Sequence, residues 1–285
     1  MITNCLACCE TLSASSHRTL IRNRRGLTLI ELLLAITIMV LLSGVMVAMA
    51  SSVHRCFEHG EGYGNATQHA RVAIERITRM VSTATANATF PGVLVLSETE
   101  GTWTFPDILV VWHPTGAAAN PAGLPLYQEL VIYCPDVNSP NDLVEITVPG
   151  NTGVVPAYTA TATWLTQIEA IRASATCQKT ILTDLLATGT VVEASSSATL
   201  GNVRFESRLI PSQTTWTQYT QGTLTWAQLA WAQGVYGKTT GLRQVWVRME
   251  MQVVPYSDVV SSSSAAMAAV PFFGSATLYY QLTHL

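Results

Sequence analysis

Arg24-Arg25-Gly26-Leu27-Thr28-Leu29-Ile30-Glu31 is the stretch from which the fold follows, because a basic pair and a glycine run straight into an apolar segment carrying one carboxylate. From residue 27 to about residue 50 the chain holds no charge except Glu31 and no proline. About 24 residues at roughly 1.5 Å rise each make roughly 36 Å of helix, enough to cross the hydrocarbon core of a bilayer. The sequence therefore predicts a membrane span at its N-terminal end.

The flanks of this span differ. Arg18, Arg22, Arg24 and Arg25 precede it, whereas His54, Arg55, Glu58 and Glu61 follow it as a mixed set. An excess of arginine on one side holds that side in the cytoplasm, so the larger C-terminal part is expected to be exported. Gly26 has no side chain, which leaves the Gly26-Leu27 bond the least shielded one at the membrane face. Cutting there would free an amine on Leu27. Glu31 lies one helical turn further in, and a carboxylate at membrane depth costs on the order of 2.5 kcal/mol or more unless a cation or the positive end of the helix dipole compensates it. The freed amine, from the same chain or a neighbour, is such a cation.

At these residues the chain resembles the type IV prepilin family, including the pseudopilins of type II secretion. The family pattern is a basic leader ending in glycine, then Phe-Thr-Leu-Ile-Glu and an apolar helix. Here it reads Gly26, Leu27-Thr28-Leu29-Ile30-Glu31, then Leu32-Leu33-Leu34-Ala35-Ile36, with Leu27 in place of the phenylalanine. The resemblance implies that a prepilin peptidase cuts after Gly26 and methylates the Leu27 amine. It implies also that Glu31 pairs with a neighbouring subunit's amine during assembly. The implied partners are other pseudopilin or pilin subunits, the inner-membrane assembly platform, and membrane lipid before extraction.

Composition narrows the remainder. A chain of 285 residues can bury one substantial core, which predicts a single exported domain following the span. A formal net charge of −3 and only 12% charged residues provide no broad basic surface, so no nucleic-acid partner is expected. Cys5, Cys8 and Cys9 precede the cut, and no second cysteine pair at zinc spacing follows Cys5-x-x-Cys8. No apolar run precedes them as a lipoprotein signal requires. In the mature chain Cys134 and Cys177 can close a disulfide in an oxidising compartment, leaving Cys56 as the odd thiol.

Beyond the span, His59-Gly60-Glu61-Gly62-Tyr63-Gly64 is predicted to bend or fray the helix, since each glycine weakens it by roughly 1 kcal/mol relative to alanine. No strand precedes it and no Lys-Ser/Thr follows, so it is no phosphate loop. Over residues 65–86 Ala66, Ala70, Ala73, Ile74, Ile77, Met80, Val81 and Ala84 recur at helical spacing, which predicts one buried face. Arg71, Glu75 and Arg79 form an i, i+4 ladder on a solvated face. The stretch Ala70-Arg71-Val72-Ala73-Ile74-Glu75-Arg76-Ile77 is similar to minor pseudopilins, especially the J type. Phe90-Pro91-Gly92 is predicted to stop the helix.

The organisation expected is a leader over residues 1–26, a transmembrane helix over 27–50, an amphipathic continuation over 51–89 and a β-rich head over 90–285. Strands are predicted over 93–96, 108–113, 130–134, 143–148, 203–210, 245–253 and 278–282, separated by prolines and glycines and forming an antiparallel sheet against the helix. Helical spacing over 164–187 predicts a helical insertion, and residues 257–269, rich in serine and alanine, a loop. The fold class is thus α+β and pilin-like, with a long N-terminal helix packed on a mainly antiparallel head.

No catalytic motif is present, and His17, His54, His59, His69, His113 and His284 are scattered. No enzyme activity, cofactor or metal site is expected. The oxygen-rich Asp136-Val137-Asn138-Ser139-Pro140-Asn141-Asp142 reads as a turn before it reads as a calcium loop. Trp216, Trp226, Trp231 and Trp246 read as core before they read as a binding surface. Asn65-Ala66-Thr67 and Asn87-Ala88-Thr89 match the glycosylation sequon but lie on or near the helix. The expectation is a non-catalytic minor pseudopilin of the inner membrane, N-terminus cytoplasmic and head periplasmic. The alternatives are a minor pilin of a type IV pilus or DNA-uptake machine, or a membrane-anchored periplasmic enzyme or sensor.

Overall fold

The protein is described from a computed structural model over residues 28–192, 197–255 and 269–284. Gly26, Leu27, the leader cysteines and residues 257–268 of the Ser/Ala tract lie outside the described residues. The chain divides into two units, Met1–Arg55 and Cys56–Leu285.

Helix α1 is Leu29–Ser82. Within the first unit its apolar side chains are all exposed, Leu29 at 77% and Met46 at 72%. An uninterrupted apolar surface of this kind is stable in water only when lipid or neighbouring helices cover it. Among the described residues α1 alone is long and apolar enough to cross a membrane.

In the second unit α1 buries Gly62, Ala66, Ala70, Ala73, Ile77, Met80 and Val81, three or four residues apart, as the apolar period predicts. The fraying expected at residues 59–64 does not occur. The helix runs through all three glycines, and Gly62 starts the buried stripe, so tertiary packing outweighs its weak propensity. The helix also ends earlier than Phe90-Pro91-Gly92. Past Ser82 the Thr85 amide donates to Trp112 O (2.9 Å), and Asn87 Oδ1 accepts from the amides of Thr89 and Phe90, both at 2.8 Å. These contacts draw the chain out of the helix.

Five antiparallel strands form the first sheet in sequence order: β1 Val93–Glu100, β2 Trp103–Trp112, β3 Leu130–Pro135, β4 Leu143–Thr147 and β5 Gln178–Thr183. A separate hairpin joins β6 Thr188–Val192 to β7 Ser197–Gly201. The second sheet has the order β10-β9-β8, with β8 Val203–Ile210, β9 Thr240–Val253 and β10 Val270–Thr283. The head therefore contains two main sheets where one was expected. The buried stripe of α1 shares a core with Leu109, Val111 and Tyr133 of the first sheet and Val247, Met249 and Leu278 of the second. At β10 a Cβ on Gly274 would lie 2.6 Å from Ile74 Cγ2, so only glycine admits the helix at this distance.

The opposite face of the first sheet buries Ile108, Val110, Trp112 and Ile132 against Trp164, Ile168 and Ile171 of α2, which is Thr161–Ala173. Burial on both faces explains why β2 and β3 read as unbroken apolar runs. The helical insertion expected over 164–187 is only half helix. Ile181 and Leu182 lie in β5, where Ile181 pairs with Val144 of β4 and Leu182 falls at a register shift, because the apolar positions satisfied a helical period without forming one. A third helix, α3 Gln213–Thr220, carries Trp216, a 3-10 turn starts at Trp226, and Trp231 directly precedes a second 3-10 turn; all three are buried, and Trp246 is half-buried.

Candidate functional site

Thr28 and Glu31 build the start of α1. The Thr28 amide and hydroxyl both donate to Glu31 Oε2, at 3.0 and 3.1 Å, and the Glu31 amide donates to Thr28 Oγ1 at 3.4 Å. Leu32 N–H donates to Thr28 O at 3.1 Å, closing the first helical turn. This reciprocal pattern is a capping box, with threonine just outside the helix and glutamate three residues on. It was legible as Thr28-x-x-Glu31, yet the role of Thr28 escaped the sequence reading, which weighed Glu31 only against a cation or the helix dipole. The carboxylate sits in the first turn, where the free amide groups of a helix favour an anion. Both residues are exposed, and Glu31 Oε1 has no hydrogen bond among the described residues.

Residues 21–47 match the family model described as the prokaryotic N-terminal methylation motif. The N-terminal segment carries a prepilin-type methylation motif. The match covers Arg22 to Gly26, Leu27 to Glu31 and the apolar run as far as Val47, the residues from which the resemblance was drawn. No curated protein and no solved structure matches the chain.

A second set of residues fixes the C-terminal half of α1 to its sheet. Arg76 donates through Nε and Nη2 to the two Glu145 carboxylate oxygens, both at 2.9 Å, and Tyr133 Oη donates to Glu145 Oε2 at 2.9 Å. The Arg76 hydrogen bonds hold the Glu145 carboxyl below the usual carboxylate range, while burial pushes the Tyr133 hydroxyl up. Sequence reasoning missed this pair because 69 residues separate the partners. The expected ladder is present only as the exposed pair Arg79–Glu75 (3.4 Å).

The other candidate residues are engaged structurally. Asp136 Oδ1 accepts from the Asn138 amide (2.8 Å) and Oδ2 from Lys179 Nζ (2.9 Å), while Asp142 N–H donates to Ser139 O, so this loop is a closed turn. Among the described residues no three His, Cys, Asp or Glu side chains converge to hold a metal ion. Cys134 and Cys177 are free thiols, the first buried, the second half-buried and donating to Ser174 O at 3.0 Å. Asn87, part of a sequon, spends its amide on Pro121 O and Gly123 O.

Proposed function

We propose that the chain is a non-catalytic minor pseudopilin of a type II secretion pseudopilus. It is inserted in the inner membrane with its N-terminus cytoplasmic and its head periplasmic, cut after Gly26 by a prepilin peptidase and methylated on Leu27. The observation carrying this reading is the motif over residues 21–47, set on a helix whose apolar surface within the first unit is wholly exposed. In a filament, neighbouring helices replace lipid around that surface. Glu31 sets the axial register of incoming subunits. Its Oε2 is retained by Thr28 within the chain, which lowers the cost of a lone carboxylate in the bilayer, and its free Oε1 faces a neighbour's Leu27 amine.

A head with two sheets and an added helix and hairpin favours a minor subunit over the bulk building block. A minor pilin of a type IV pilus shares every one of these features and is the second reading. The test is incorporation. Glu31→Val is expected to be inserted and cut like the wild type, yet to be at least tenfold depleted from assembled filaments isolated by affinity pull-down. Wild-type levels of the variant in filaments would remove Glu31 from this role.

A further inference from the structure

Between the end of β1, α2, the turn at residues 135–140 and β7 lies a cavity of about 860 Å³. Five carboxylates, Glu98, Glu100, Asp107, Asp136 and Glu169, line it against one base, Arg172. Two of the five are neutralised, Glu98 by Arg172 and Asp136 by Lys179. Glu100, Asp107 and Glu169 make no ion pair among the described residues.

Asp107 is the unusual member. It is only 3% exposed, and its Oδ1 has no hydrogen-bond partner. An unpaired buried carboxylate is among the most costly groups a protein can carry, and where one persists it calls for an explanation. Its position is built by the backbone. Leu96 pairs with Ile108 but Glu98 pairs with Phe105, so Pro106 and Asp107 stand opposite Ser97 alone in a bulge that re-aims the side chain out of strand alternation. Burial pushes the Asp107 carboxyl up to about 7, the behaviour of an acid held without its counter-charge.

We propose that this cavity binds an organic cation, a primary ammonium or guanidinium group, with Asp107 as its buried counter-ion and Glu100 and Glu169 at the cavity wall. The uncompensated charge selects a cation over an anion or a neutral ligand. The absence of three converging metal-ligating side chains among the described residues selects an organic cation over a metal ion. An ammonium or guanidinium needs only one or two carboxylates, and Asp107 in the cavity lining supplies one. Two sources supply this chemistry, a free small amine and a lysine or arginine side chain on a partner protein.

The test is titration of the full-length protein in detergent by isothermal calorimetry. The probes are cadaverine, a capped Ala-Lys-Ala peptide, the same peptide acetylated on the lysine amine, and calcium chloride. Either amine is expected to bind in the millimolar range or tighter, with the acetylated peptide at least tenfold weaker. Tighter binding of cadaverine would assign a free amine, and tighter binding of the lysine peptide a partner's side chain. Asp107→Asn keeps the shape of the side chain and should weaken either amine at least tenfold. Glu169→Gln, on an exposed face of α2, should weaken it about threefold and serves should the first variant misfold. Three results would overturn the proposal: no heat from either amine at 10-fold excess over the millimolar range, equal binding by the acetylated peptide, or calcium binding that excludes both amines.

Discussion

Two buried carboxylates of the head are handled in opposite ways, and their pH signatures should be opposite too. Glu145 is held below its ordinary value of 4.5 by Arg76 and Tyr133. Its contribution to stability is present above pH 4.5 and is lost as the pH falls through its depressed folded value. Glu145→Gln is therefore expected to cost about 1 kcal/mol at pH 7, a figure kept small because the Arg76 side chain is 43% exposed, with the difference shrinking below pH 4. Asp107 is raised from 3.8 to about 7 by burial. Its folded form holds the proton more tightly than the unfolded chain, so that contribution is complete below pH 3.8 and lost as the pH rises through 7. Asp107→Asn should stabilise the protein by on the order of 3 kcal/mol at pH 8 and leave it unchanged at pH 4. Thermal unfolding of both variants across this range checks the two signs. Neither residue was legible in the sequence. Glu145 depends on a partner far along the chain, and Asp107 on a bulge that no local pattern announces. Glu31, in contrast, stood out because an acid inside an apolar run is rare, and Thr28 was legible through its spacing alone.

Among the elements, periodicity was a sound guide where one face is buried and a poor one elsewhere. The stripe from Ala66 to Val81 and the alternation of β9 are found as read, since each has a clear inside and outside. Over residues 178–187 the same rule failed. Ile181, Leu182, Leu185 and Leu186 satisfy a helical spacing by coincidence, while pairing of β5 with β4 decides the structure at the first two, and backbone bonds of Leu186 N–H to Asn141 O and of Val254 N–H to Leu185 O decide it at the others. The glycines of α1 failed in the other direction, because their low propensity is overridden by the helix on either side. Gly60 and Gly64 have open space where a Cβ would go. Gly60→Ala and Gly64→Ala should each stabilise by about 0.5–1 kcal/mol in chemical denaturation of the detergent-solubilised protein. Gly274→Val should cost about 2 kcal/mol or more by driving a side chain into Ile74 and Met249, whereas Ser275→Val, on the exposed face of β10, should be nearly neutral. Equal effects of the two β10 substitutions would show that α1 does not pack at this glycine.

On the scale of the whole molecule, the chain combines two solutions to the burial of apolar surface. The second unit covers its own through two sheets and α2, with a core on each face of the first sheet. The first unit covers none of its own, and it is there that the methylation motif lies. The fold class was legible because both signals are strong: a long apolar run without charge, then short strands divided by prolines. The division of the head into two sheets was not, because strand pairing between distant segments leaves no mark on either segment alone. In the function proposed above, lipid before assembly and neighbouring helices after it cover the first unit, and passage between them rests on a free amine at Leu27.

Intact-mass and N-terminal peptide mass spectrometry of the protein recovered from membranes of expressing cells examines that requirement directly. The expected result is a chain that starts at Leu27 and carries one added methyl group on its amine. A chain that still retains Arg24, Arg25 and Gly26 would contradict the account.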